Sequence, residues 1–108
     1  MKQQFSTCLL ALILLSTYPA FSQSLQPNEC DNFAASPDDP YRVVEGVKYE
    51  MLDAKSAINA CEKAVSEFPN ILRFQFQYGR ALEQGEKYRE AASWYRIAAD
   101  KGHTVAQN

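Results

Sequence analysis

From residue 53 onward the apolar positions recur at intervals of three and four. Ala54, Ala57, Ile58, Cys61, Ala64, Val65 and Phe68 form one such face, with Asp53 placed to cap the first turn. Ile71, Phe74, Tyr78, Ala81 and Leu82 form a second, which predicts a helix from about Ile71 to Gln84 capped by Asn70. Tyr88, Ala91, Ala92, Tyr95, Ala98 and Ala99 form a third, over about Lys87 to Lys101, with Trp94 at its edge. Gly85 and Gly102 stand where a left-handed residue closes a helix. Gly79 falls inside the second helix, at a cost of roughly 1 kcal/mol relative to Ala. That implies close approach of another backbone, with the small alanines of the third helix facing it. Lys63 and Glu67 make an i,i+4 pair on the solvent side. The expected fold class is all-α, with three main helices and the first residues of another at His103–Gln107.

Before residue 53 this periodicity is lost. Residues 23–40 are polar and carry Pro27, Pro37 and Pro40, which marks loop or extended chain, with one short helical turn at Asp31–Phe33 beside Cys30. Tyr41–Met51 alternates at positions 47, 49 and 51, but as a whole it reads as irregular chain packed on the helices. Residues 1–22 read as an export signal. Lys2 gives a positive start, Cys8–Leu15 an apolar run too short to span a bilayer, and Ala20-Phe21-Ser22 the small residues of a cleavage site. Cys8 lies within the apolar run, which argues against a lipoprotein. The expected organisation is therefore a signal peptide (1–22), an irregular N-terminal segment (23–52) and a helical domain (53–108), periplasmic or secreted.

Cleavage before Gln23 removes 22 of the 108 residues and leaves 86, a size at which a hydrophobic core alone is marginal. It also leaves ten basic residues against thirteen acidic ones, a net charge of −3 with no basic patch, so nucleic acid is not an expected partner. The mature chain keeps two cysteines, Cys30 and Cys61. An even count in a small exported domain predicts a disulfide, which would pin the N-terminal segment over the first helix. Two cysteines and the single His103 do not make a metal-ligand set, and no metal or cofactor is expected.

Ala57 and Ala91 are 34 residues apart, as are Ala64 and Ala98, and Cys61 falls opposite Tyr95. A helix–turn–helix period of about that length is the signature of the tetratricopeptide repeat. Tyr78, Gly79, Ala91, Tyr95 and Ala98 stand where that repeat has its large apolar residue, Gly, Ala, aromatic residue and Ala. The run from Ala91 to His103, with its Trp94-Tyr95 pair, paired alanines and Gly102, followed by Ala106, more closely resembles the Sel1-like subfamily. The turn before Ala91 is shorter than a Sel1 turn, and Gln75 occupies a usually apolar position. The likeness covers residues 71–107 well and 53–69 as a half-repeat, about one and a half repeats in all.

The resemblance implies a concave groove lined by Arg73, Phe76, Arg80, Glu83 and Gln84. Helix geometry independently puts 73, 76, 80 and 83 on one stripe beside the core stripe. An aromatic between two arginines suits a peptide with a carboxylate. The expected function is an exported, non-catalytic module that binds a protein or peptide through this groove. Self-association through an uncovered C-terminal repeat face is also open. The other readings are a hydrolase of the β-lactamase type, known among cysteine-rich Sel1-like proteins, and a remnant of a longer repeat protein. The hydrolase would need cysteines that follow the repeat or a Ser-x-x-Lys motif, and the chain has neither. His103 has no nucleophile context.

Overall fold

The computed structural model describes residues 25–108, so the signal-peptide reading of residues 1–22 lies outside the described residues. The described chain forms five helices and no strand: α1 (Glu29–Ala34), α2 (Ala54–Glu67), α3 (Leu72–Gln84), α4 (Tyr88–Asp100) and α5 (Thr104–Gln107), with a 3₁₀ turn at Tyr49–Met51. No helix among the described residues is long and apolar enough to cross a membrane.

Local sequence accounts for the starts and stops. Asn28 caps α1 by accepting from the amides of Cys30 and Asp31, while Asp31 accepts from the Asn28 amide in return. Asp53 caps α2 through Ser56, as the sequence predicts. Asn70 does not cap α3: the N-cap is Ile71, without a side-chain hydrogen bond. In the α3–α4 turn it is Glu86, at φ 63°, that takes the left-handed conformation expected of Gly85, whose own φ is −81°. A Cβ on Gly85 would lie 2.8 Å from the terminal methyl of Ile58 on α2, which would have to shift. Gly102 does close α4 with positive φ.

The helix α3 is central. Its residues Arg73 to Leu82 are buried without interruption. Helices α2 and α4 flank it, and α1 lies over α2 and α3. The predicted α2 and α3 faces are where the core forms, around Ala57, Cys61, Ala64, Phe74, Tyr78, Ala81 and Leu82. Cys30, Ala34 and Leu52 of the N-terminal segment belong to that same core. Gly79 meets the Tyr95 ring rather than backbone: a Cβ there would sit 2.8 Å from it. The α4 stripe is narrower than predicted. Ala91 and Ala98 are buried and Trp94 and Tyr95 half-buried, but Tyr88 is 62% exposed. It stands at the start of α4, beside the turn, where α3 has already ended.

The Cys30 and Cys61 sulfurs lie 2.03 Å apart, at bonding distance, and close a loop across 31 residues between α1 and α2. Replacing both cysteines with alanine should lower stability by roughly 3–4 kcal/mol in the chain-entropy view. The shift of the urea midpoint measures it, and a midpoint unchanged from the native protein would contradict the staple's role. Glu86→Gly should relieve the left-handed strain and raise stability by about 0.5–1 kcal/mol, read by the same titration.

Candidate functional site

The stripe Arg73, Phe76, Arg80, Glu83 lies on one side of α3, as its spacing requires, but that side is no open groove. The N-terminal segment fills it. Arg73 donates from Nε to Asp31 Oδ1 at 2.8 Å and from Nη2 to Asp31 Oδ2 at 3.1 Å, a bidentate buried ion pair, and also to the Gln26 carbonyl. Gln77 donates to the same carboxylate at 3.2 Å. Arg80 gives Nη1 to the carbonyls of Ala34 and Ala35 and Nη2 to that of Val47. Burial opposes its charge and pulls the guanidinium below its ordinary pKa, partly offset by the charge of nearby Glu83 and Asp38 and by the phenols of Tyr95 and Tyr49. The expectation of a solvent-facing groove is thus corrected. Helical periodicity shows which side chains share a face, and here residues 26–47 cover that face.

Phe76 is buried between the His103 ring, stacked at 4.4 Å, and the Tyr95 ring at 5.6 Å. His103 is fully buried. Its Nδ1 accepts the Ala106 amide and so caps α5, which leaves Nε2 to donate to Asp39 Oδ2 at 3.1 Å. Asp39 in turn accepts the Tyr41 amide through Oδ1 at 2.9 Å. The one histidine therefore ties the C-terminal turn to the Pro-rich segment. Glu83 accepts the Tyr95 hydroxyl at 2.7 Å. Burial and that hydrogen bond push the Tyr95 phenol far above its ordinary pKa, so it stays a donor. Gln84 donates to the Tyr49 carbonyl at 3.2 Å and holds the 3₁₀ turn against the end of α3.

What remains at the surface is the rim of this assembly. Tyr49 is 37% exposed and Met51 75% exposed, both in the 3₁₀ turn. Tyr88, at the start of α4, is also exposed. The Tyr49 phenol is pushed above its ordinary pKa first by desolvation and then by the charge of Glu83. The Tyr49 ring lies 5.9 Å from the Arg80 guanidinium. Beside it opens a cleft of about 450 Å³ between the Ser36–Asp38 loop, the Lys48–Glu50 turn and Arg80. Sequence reasoning assigned Tyr88 to the core and Tyr49 to irregular packing. It placed Asp31 in a short helical turn and gave Asp39 no role. Two arginines on a face that becomes buried were the signal that could have pointed to acidic residues upstream. Among the described residues no group of His, Cys, Asp or Glu is arranged to hold a metal ion.

Arg80→Met should leave the Val47 and Ala34 carbonyls without their charged donor and cost roughly 2–4 kcal/mol. Denaturation should show the loss, and amide exchange should rise first over residues 34–47. A cost under about 1 kcal/mol would mean water replaces the guanidinium readily.

No family model matches the chain, and neither a curated protein nor a solved structure does.

Proposed function

We propose that the protein is an exported, non-catalytic module that binds a protein partner, built on a helical repeat of the tetratricopeptide or Sel1-like type. The observation that carries the binding reading is the exposure of large apolar and aromatic side chains, Tyr49 and Met51 in the 3₁₀ turn and Tyr88 at the start of α4, on a molecule whose central helix is buried. Exposed tyrosines on a rigid support contribute large contact area with little loss of side-chain freedom, which is why they recur at recognition surfaces. Arg73, Phe76 and Arg80 then serve as the support beneath the surface and not as the contact itself.

The repeat reading is supported by the offset between equivalent helices. Helix α2 begins at Ala54 and α4 at Tyr88, 34 residues later, and the small residues Ala57 and Ala91, Ala64 and Ala98 are buried at matching places. Export is supported by the Cys30–Cys61 pair, since such bonds persist in oxidising compartments.

Crosslinking capture from a native envelope fraction tests the reading. The wild-type protein should capture a partner that is lost when Tyr49, Met51 and Tyr88 are changed together to alanine and retained by Ile97→Ala, a control on the exposed outer side of α4. The opposite pattern would move the interface to the C-terminal face. Capture by neither protein would refute the binding reading.

A further inference from the structure

Among the described residues sulfur is carried by Cys30, Cys61 and Met51, in opposite environments. Met1 and Cys8 lie outside the described residues, in the stretch read as removed on export. The two cysteines are bonded to each other and wholly buried, so neither offers a thiolate to an oxidant. Met51 is instead 75% exposed. Its backbone does not share that freedom. The Met51 amide donates to the Lys48 carbonyl and the Leu52 amide to that of Tyr49, and Gln84 reaches the same Tyr49 carbonyl from α3. Leu52, next in the chain, is buried in the core. The turn is therefore anchored through its backbone and through Leu52, while the Met51 thioether stands in solvent and takes no part in the core.

We propose that Met51 is an oxidation site, through which a peroxide weakens the hold on the partner protein without disturbing the fold. The thioether lone pair attacks one oxygen of hydrogen peroxide. An S–O bond forms, the O–O bond breaks, and the departing hydroxide takes the proton left on the transferred oxygen. Methionine and peroxide thus give methionine sulfoxide and water, the sulfur losing two electrons and the peroxide gaining them. The product carries a strongly polar S–O bond where an apolar, polarizable group stood. In a contact with the partner that oxygen has to leave water, which opposes binding. In the free protein it stays in water, so folding stability is unchanged. The loss of affinity rests on the protein-binding reading above, and the oxidation itself does not.

The test treats the purified, disulfide-bonded protein with hydrogen peroxide, removes the peroxide with catalase, and follows both mass and capture. Peptide mapping should place one added oxygen on Met51, at a rate close to that of a blocked free methionine in the same solution. Far-UV circular dichroism and the urea midpoint should not move. Crosslinking capture from the envelope fraction should fall about tenfold and return after treatment with methionine sulfoxide reductases. Met51→Leu, whatever its own capture, should give the same yield before and after peroxide. Met51 left unreacted while the free methionine is consumed overturns the proposal, as does a urea midpoint lowered by oxidation. Undiminished capture by fully oxidised protein, or an equal loss in Met51→Leu, overturns the link to affinity and leaves the protein-binding reading standing. Capture by neither treated nor untreated protein refutes that reading and the affinity link with it, while the position of the added oxygen still decides the oxidation site.

Discussion

The structure depends on one constraint: α3 is buried all round yet carries Arg73, Gln75, Gln77 and Arg80 in its buried stretch. A helix satisfies its own backbone but not its side chains, and an unpartnered buried polar group costs on the order of 1–3 kcal/mol, more if charged. Neither α2 nor α4 supplies these side chains with the partners seen here. The N-terminal segment does, through the Asp31 carboxylate and through the backbone carbonyls of Gln26, Ala34, Ala35 and Val47. Gln75 donates locally to the Pro69 carbonyl, while the buried Oε1 atoms of Gln75 and Gln77 accept no hydrogen bond. The segment can serve in this way because its prolines and irregular path leave carbonyls that no helix or sheet consumes.

Seen from the segment, the same bonds explain how a chain without regular structure keeps one conformation. It is fixed at several places along its length, among them Cys30 and Asp31 against α2 and α3, Ala34, Ala35 and Val47 against Arg80, Asp39 against His103, and Tyr49 against Gln84. A buried ion pair is poor evidence of net stabilisation, since desolvation can cancel its attraction. The Asp31–Arg73 pair is better understood as fixing register. It accepts one placement of α1 on α3, and the neighbouring disulfide removes alternatives from the unfolded ensemble.

Much of this was legible in the sequence. The three main helices lie within about one residue of their expected limits, because long segments with spacing of three and four have few other solutions. The Cys30–Cys61 pairing followed from having two cysteines in a chain read as exported. The site was legible only in part. The spacing placed Arg73, Phe76, Arg80 and Glu83 on one stripe, but periodicity carries no information about a segment thirty to fifty residues upstream that folds back over it. Tyr88 was misplaced for a related reason: it continues the α4 stripe in phase, but α3 ends before reaching it. Gly79 was read as a place where another backbone and the small alanines of α4 come close, and the neighbour is instead the Tyr95 ring, which helical spacing alone does not show.

The covering of α3 also decides where recognition can occur. A tetratricopeptide-type groove would use arginines and an aromatic on the inner helix to hold a ligand, and here those side chains hold the chain's own segment. Their hydrogen-bonding capacity is largely spent inside the molecule. The groove is cationic because Arg73 and Arg80 line it, and Asp31 and the carbonyls neutralise it from within.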